Sequence, residues 1–455
     1  MRIHFIAIGG AGMSVVAELL LAAGHDVQGS DQRESTALDR LRGLGARVWV
    51  GHDADHVAGA DLVVVSTAIR ENNVELVAAR AGGIEVIHRS EALAMAAADA
   101  DFVAVAGAHG KTSTSGMLAV ALREAGLDPG FAVGAIVVGV GSGAHAGTGP
   151  FVAEADESDG SFLNYRPRIG IVTNIEPDHL DHYGSVRAVY TAFEEFAGRI
   201  VPGGLLVACA DDIGSAALAA LAAARGIRAC TYGTSPGADV RLEHLHSGAG
   251  SASAVLTTDD LSLRLDLAVP GEHNVLNAAA AWCAGVELGV SPVAMADALA
   301  TFGGTSRRFE TKGEVGGIRV IDDYAHHPTE VTALLRTARQ VAGPGRVLAV
   351  FQPHLFSRTA AFAAEFAGAL ALADEAFVLP IYPAREEPQP GVTSALITDA
   401  APALRPAASF DDAVDAIRRD ARPGDLVLTI GAGDVTALGP RLVASLRARR
   451  DGDDG

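Results

Sequence analysis

The chain has 455 residues, with 35 basic against 55 acidic side chains and a formal charge of -20. That length spreads over roughly two to four domains, each able to bury a sizeable core, and the negative balance disfavours nucleic acid and anionic lipid as partners. Cys209, Cys230 and Cys283 are too scattered for a disulfide framework or a Cys-x-x-Cys metal pattern, no apolar run reaches the roughly 18 residues of a membrane span, and Met1 to His4 leads straight into a strand rather than a signal peptide, so a cytoplasmic protein is expected.

In chain order, IHFIAIGGAGMSVVAELLLAAGHDVQGSD reads as strand, Gly9-Gly10-Ala11-Gly12 turn, helix and a second strand ending at Asp31. This is close to a dinucleotide fingerprint, in which an acid about 20 residues on holds ribose hydroxyls. Val15 stands where a third glycine is expected, so the pattern supports a diphosphate-bearing ligand better than a redox cofactor. After the strand DLVVVS, the segment FVAVAGAHGKTSTSGML repeats the order strand, glycine loop, helix and starts a fresh domain. Gly107 and Gly110 let backbone approach an anion, and the helix N-terminus points free N-H groups at it. Lys111 adds a point charge and Thr112 a hydroxyl for magnesium, although Val105 departs from strict Walker spacing. Lys111 and Lys312 are the two lysines of a chain that otherwise writes arginine, which marks Lys111 as a place where an ammonium is required.

Two later strand ends offer a magnesium shell: VAEADESDGSF, with Glu154, Asp156, Glu157 and Asp159, and IVTNIEPDHLDHY, with Asn174, Asp178, His179 and Asp181. Each alone reads equally as a solvated loop or a helix cap. After the strand GGLLVAC, the polar stretch VRLEHLHSGAGSASAVLTTDDLSLRLDL reads as antiparallel hairpins inserted into an α/β unit. A third unit begins near Gly303-Gly304-Thr305, with strands IRVIDD, RVLAVF, EAFVLP and DLVLTI, and the acidic tail after Arg450 is expected to fray. Continuous apolar strands alternating with helices predict α/β architecture, with parallel sheets covered on both faces and ligands at the carboxyl ends of strands.

Together, IAIGGAGMS, GAHGKTSTS, EADESDGSF, TNIEPDHLDHY, HNVLNAAAA, SRRFE, DDYAHHPTE and FQPHLFSRT resemble the Mur ligases of bacterial cell-wall synthesis, from the first strand to beyond residue 430, and the GGAGMS, EADESD and DDYAHHP segments look like the alanine-adding branch. The resemblance implies three domains: a Rossmann-like UDP-sugar domain over 1–99, a P-loop-type ATPase central domain over 100–304 and a Rossmann-like C-terminal domain over 305–455 that binds the amino acid. It implies UDP-N-acetylmuramate over Gly9, Gly10, Ala11, Gly12 and Ser14, with Asp31, Ser66 and His88 along the same cleft. ATP would lie on Gly107, Ala108, His109, Gly110, Lys111, Thr112 and Ser113, with Asn277 against adenine and Arg308, Asp322 and Tyr324 reaching the nucleotide. Thr112 and Glu154 would hold one Mg²⁺ and His179 a second, while His326, His354 and Arg358 face the carboxylates and the incoming amino acid. Lys111, His179 and Arg358 carry the catalytic roles in this reading.

The implied reaction is ATP-dependent. Phosphorylation of the lactyl carboxylate gives an acyl phosphate, the L-alanine amine attacks, and ADP and phosphate leave, under cations that meet the tetrahedral anion. Closure of the third domain over the central one is expected, to keep water from the acyl phosphate. Two departures stand out. Related ligases support magnesium with a carbamylated lysine, whereas Phe193 occupies that region and no lysine lies between Lys111 and Lys312, as expected for alanine-adding members; and Leu355 stands where many members have arginine, which shifts load to Arg358. His273 and His327 read as capping or supporting histidines, and Arg307-Arg308 reads equally as a solvated pair. Three rivals remain: a ligase attaching a peptide to the same UDP-sugar, a nicotinamide-dependent oxidoreductase, and a nucleotide-binding regulator without turnover. The sequence does not set the oligomeric state.

Overall fold

The computed structural model describes residues 1–453 apart from 99, 249 and 385; the side chains at 180, 181 and 451–453 also lie outside the described set, and Asp181 of the magnesium expectation is among them. The chain divides into two compact units: Met1–His244, Ala254–Asp266 and Leu276–Phe302 form unit 1, and Leu245–Ser253, Leu267–Val275 and Gly303–Gly455 form unit 2.

Unit 1 begins with an all-parallel sheet of β1 (Arg2–Ile6), β2 (Asp26–Asp31), β3 (Arg47–Val50), β4 (Leu62–Val65) and β5 (Glu85–His88), in the order β3-β2-β1-β4-β5. Alternation explains its two covered faces. Ile3 and Phe5 pack with Met13, Val16 and Leu20 of the Ala11–Ala22 helix, while Ile6 and Val63 pack with Leu76 and Ala79 of the Val74–Ala81 helix.

The second sheet holds β6 (Phe102–Ala106), β7 (Gly130–Val137), β8 (Ser142–His145), β9 (Phe151–Glu154), β10 (Ile169–Val172), β11 (Leu205–Cys209), β12 (Arg228–Gly233), β13 (Val240–Ser247), β14 (Ala252–Thr257) and β15 (Ser262–Leu267). Its order is β15-β14-β13-β12-β11-β10-β6-β9-β7-β8. β6 lies between β10 and β9, parallel to both, so the segments 107–110, 155–160 and 173–179 all leave the sheet at the same edge. The expected hairpins are β13 to β15, consecutive neighbours whose short connections allow only antiparallel return. Purely parallel sheets do not hold throughout: β7 and β8 also pair antiparallel.

The third sheet, in unit 2, has β16 (Glu310–Val315), β17 (Ile318–Asp323), β18 (Val347–Phe351), β19 (Glu375–Val378), β20 (Leu404–Pro406) and β21 (Leu426–Ile430), in the order β16-β17-β21-β18-β19-β20. Only the β16–β17 pair is antiparallel. Val347, Ala349 and Phe351 face Leu334, Leu335 and Phe366 of the helices Pro328–Ala342 and Phe356–Leu370. Leu348 and Val350 face Ile417 and Leu442 on the other side. Each such fully buried apolar side chain contributes roughly 1.5–3 kcal/mol. The carboxyl ends of β17 and β18 lead into DDYAHHP and FQPHLFSR, as the alternation predicts, and SRRFE enters β16, the antiparallel partner of β17. No helix among the described residues is long and apolar enough to cross a membrane.

Candidate functional site

The loop after β6 turns because Gly107 (φ 130°) and Gly110 (φ 85°) adopt left-handed backbone. A side chain at Gly107 would place its Cβ 2.1 Å from the Thr173 hydroxyl oxygen, so only glycine fits there. Thr173 and Asn174, at the end of β10, hold the loop from the neighbouring strand. Thr173 Oγ1 donates to the carbonyl of His109 (2.6 Å), while Asn174 Nδ2 donates to that same carbonyl (3.0 Å) and its Oδ1 accepts from the His109 N-H (2.9 Å). The Asn174 carboxamide thus clamps the loop through the His109 backbone. His109 Nε2 lies 3.4 Å from Glu176. Asn277, on the Glu272–Glu287 helix, packs against Gly110, its Oδ1 2.6 Å from where a Cβ would stand.

Lys111 opens the Lys111–Glu124 helix and Thr112, buried, follows it, with Ser113 in the same turn. Lys111 Nζ donates to both Glu157 oxygens (2.9 and 2.8 Å) and to the Gly107 carbonyl (2.6 Å); the Ala108 carbonyl is at 3.4 Å. Burial works against the ammonium, but Glu157, Asp156 and Glu154 outweigh it and hold Lys111 above its ordinary pKa. On the partner side, burial and the charge of Asp156 push the Glu157 carboxyl up against the pull of Lys111. The two-oxygen contact is the geometry of a lysine on phosphate oxygens, with a carboxylate in the anion's place. His179 has a left-handed backbone (φ 55°), and its Nε2 lies 3.9 Å from Glu157 and 3.5 Å from Asp178. Strain of this kind collects at working sites.

The acidic segment does not act as one cluster. Glu154 Oε1 accepts from the Gly134 N-H (2.6 Å). Asp156 accepts from Arg89 Nη2 (3.0 Å), and Asp159 accepts from the Thr67 hydroxyl (2.6 Å) and lies 3.8 Å from His88 Nε2. Asp156 and Asp159 therefore tie this segment to the strand ends of the first sheet. Burial lowers the pKa of His88 against Asp159, favouring the neutral ring.

At the first glycine loop, Asp31 Oδ2 accepts from the Gly9 N-H (2.9 Å), so part of the acid kept for ribose is used to shape the turn. Gly10 starts the helix, and Ser14 donates its hydroxyl to the Ala11 carbonyl (3.2 Å). Arg89 lies over Gly12, its Nη1 2.2 Å from a would-be Cβ. Sequence reading passed over Arg89, yet a signal existed: a cation in the first turn of the Arg89–Ala96 helix opposes the helix dipole and needs a reason to stand there. Ser66 begins the loop after β4, its carbonyl accepting from Ile69 N-H (3.0 Å).

Within unit 2, the guanidiniums of Arg307 and Arg308 lie over the Tyr324 ring, 4.7 and 5.1 Å from its centroid. Arg307 is no solvated surface residue: Nη2 donates to the carbonyls of Gly431 (2.6 Å) and Gly433 (3.1 Å). Arg308 lies 3.6 Å from Glu330. Glu330 also accepts from the backbone N-H of His326 (2.9 Å) and lies 3.1 Å from its Nδ1, which orients that ring 6.1 Å from His354. His354 stacks on Tyr382, and Arg358 is buried in the first turn of the Phe356–Leu370 helix. Leu355 before it is left-handed at φ 70°. Asp322 lies beneath this group, at the end of β17. It is fully buried, with one oxygen accepting from Thr429 (2.6 Å) and the other from Thr436 (2.7 Å), so it braces the ends of its own sheet. Its neighbour Asp323, buried and accepting from the Phe309 and Ala325 N-H groups, is pushed by burial up to about 6.

Three family models match in chain order: "Mur ligase family, catalytic domain" over residues 2–100, "Mur ligase middle domain" over 105–285 and "Mur ligase, glutamate ligase domain" over 307–433. A UDP-N-acetylmuramate–L-alanine ligase of Kineococcus radiotolerans is 59% identical, covering 98% of this chain and 97% of its own. One of Renibacterium salmoninarum is 58% identical over 98% and 96%. Among solved structures, the UDP-N-acetylmuramate–alanine ligase of Thermotoga maritima superposes with a TM-score of 0.83 at 31% identity, covering 98% of this chain and 99% of its own. A murein peptide ligase of Psychrobacter arcticus gives 0.72 at 28%, over 98% and 99%. With all three models matched and close relatives spanning nearly its whole length, this chain belongs to the Mur ligase family.

Proposed function

We propose that this chain uses ATP to join L-alanine to the lactyl carboxylate of UDP-N-acetylmuramate, working in the cytoplasm through the three domains 1–99, 100–304 and 305–455. The observation that carries the reading is the 59% identity to an L-alanine ligase over 98% of the chain, against 28% to a peptide-attaching ligase. The phosphate-loop geometry around Lys111 supports it.

A carboxylate resists attack because its oxygen is a poor leaving group, so the lactyl carboxylate first takes the γ-phosphoryl group of ATP. The L-alanine amine then attacks the acyl phosphate carbonyl, the tetrahedral anion collapses, and phosphate departs. Lys111 faces the β- and γ-phosphates, with the backbone of Gly107 to Gly110 around them and Asn277 beside the adenine. Glu157, the partner of Lys111, must yield when phosphate takes its place. Arg89 and the Gly9 to Gly12 turn receive the pyrophosphate of the UDP-sugar, with Ser14, Ser66 and His88 along the cleft. Arg308 and Tyr324 serve the nucleotide, and His326, His354 and Arg358 the incoming amino acid.

Thr112, Glu154 and Glu157 offer hard oxygen donors of the kind Mg²⁺ selects, and His179, strained and beside Glu157, offers a nitrogen. In donor type these groups suit the ion, Thr112 with Glu154 for one Mg²⁺ and His179 for a second. Bound there, Mg²⁺ would neutralise phosphate charge as it builds in the transition state.

Phosphate release from ATP, Mg²⁺ and UDP-N-acetylmuramate, measured with L-alanine, with a tripeptide and with no acceptor, tests the reading. Release that depends on L-alanine is expected. Release with the tripeptide alone would move the peptide-attaching ligase to first place, and tight NAD binding with none for the UDP-sugar would favour an oxidoreductase.

A further inference from the structure

Outside the phosphate and sugar loops, one pair of reactive side chains stands together. Cys230 lies in the middle of β12, half-buried, and Cys283 lies buried on the helix Glu272–Glu287. The register of this contact is fixed by a neighbour. Arg228, two residues before Cys230 on the same strand face, donates both Nη atoms to Glu287 (2.8 and 2.9 Å), which follows Cys283 by one helical turn. Two residues along a strand and one turn along a helix are steps of similar length, roughly 6–7 Å and 5–6 Å, so the pinned ends bring the two sulfurs to the same level. Tyr232, two residues further along that strand face, is fully buried and also feels Cys283, which continues the alignment. The chemistry of the pair is asymmetric. The nearby Cys283 thiol lowers the pKa of Cys230 against the effect of burial, while Cys230 and burial push Cys283 up. The half-buried sulfur is thus the better nucleophile and the buried one the better reserve thiol.

We propose that Cys230 and Cys283 form a reversible disulfide when the protein meets hydroperoxide. The Cys230 thiolate attacks the peroxide O–O bond, becoming a sulfenic acid and releasing hydroxide or alkoxide. The Cys283 thiol then attacks that sulfur, the S–O bond breaks, and the oxygen leaves as water with the two protons that balance it. Each sulfur gives up one electron in total, and the peroxide takes both. Cys209, opposite Tyr232 on β11 and with its thiol pKa pushed up by burial to about 11, stays out of the reaction. The cross-link would tie the strand to the helix on which Asn277 packs over Gly110, next to the nucleotide loop.

The test treats the full chain with a small excess of hydrogen peroxide and maps peptides without reduction. The expected result is a loss of two mass units, with a linked pair of peptides holding Cys230 and Cys283, reversed by dithiothreitol, and Cys209 still open to alkylation after unfolding. In Cys283→Ser, Cys230 should stop as a sulfenic acid that dimedone traps. A wild-type protein that goes directly to sulfinic acid without the link, or that links through Cys209, overturns the proposal.

Discussion

Lys111, proposed as a phosphate contact, is also part of the packing through its bonds to Glu157 and the Gly107 carbonyl. Lys111→Ala should lower ATP-dependent phosphate release by at least roughly a hundred- to a thousand-fold, the scale of losing a preorganised contact to developing charge. It also leaves Glu157 buried without its cation. A carboxyl whose folded pKa is raised binds protons more readily folded than unfolded, so stability should rise as pH falls toward the unfolded value of about 4.3. Calorimetric melting as pH falls from neutrality toward that value should therefore show a larger gain for Lys111→Ala than for the parent chain, in which Lys111 opposes the rise. The reverse change, Glu157→Gln, removes the resident anion. Without Mg²⁺, an ATP analogue should bind it about tenfold more tightly, or ~1.4 kcal/mol, by calorimetry; unchanged affinity would mean that Glu157 does not compete with phosphate. The place of Lys111, at the start of a helix after a glycine loop, was legible from the glycine spacing. Its pairing with Glu157 was not, because 46 residues separate them and only the shared edge of β6 and β9 brings them together.

At the level of elements, the two glycine loops differ in what closes them. The Gly107 loop is braced by side chains from the next strand, Thr173 and Asn174, whereas the Gly9 loop is braced by Asp31 and roofed by Arg89. Gly12→Val should thus displace the Arg89 guanidinium and weaken UDP-N-acetylmuramate binding by an order of magnitude or more. ATP-analogue binding at the separate Lys111 loop should stay within about twofold, and calorimetry with each ligand distinguishes the two. Equal loss of both ligands would indicate general unfolding instead. Strands were readable because buried parallel strands are continuous apolar runs, and DLVVVS, FVAVAG, GGLLVAC, RVLAVF and DLVLTI are all strands. The short half-exposed ones, such as β3, β5 and β8, were missed because their patterns, RVWV, EVIH and SGAH, carry too little apolar signal. Which acid serves which loop was also hidden, since Asp156 and Glu157 are adjacent in sequence yet point to different partners.

Across the whole molecule, buried charge is not confined to the Lys111 loop. Glu75 is fully buried and accepts from Ser30 (2.6 Å), with His56, His52 and His4 at 2.9, 3.1 and 3.4 Å. Burial alone would raise its pKa, but His4, Ser30 and His56 reverse that and bring it down to about 2. A depressed carboxyl stabilises the fold fully above its unfolded value and loses that contribution as pH falls toward 2. Glu75→Gln should cost about 3 kcal/mol at neutral pH, as expected for breaking a buried charged network, and should flatten the acid limb of a stability-against-pH curve measured by denaturant titration. A variant as stable as the parent at pH 7, with the same acid limb, would remove Glu75 from that role. Sequence alone could not assemble this cluster, whose members come from β1, β2, the loop after β3 and the Val74–Ala81 helix.

The scarcity of lysine has a spectroscopic consequence. A sample enriched in ¹⁵N only at lysine carries two ε-ammonium groups, one in each unit, and both are held in ion pairs, Lys111 with Glu157 and Lys312 with Glu310 (2.7 Å). Held protons exchange slowly with solvent, so a heteronuclear spectrum should reduce to a pair of side-chain peaks. One peak then reads the occupancy of the phosphate loop, turnover by turnover, against an internal reference supplied by the same molecule.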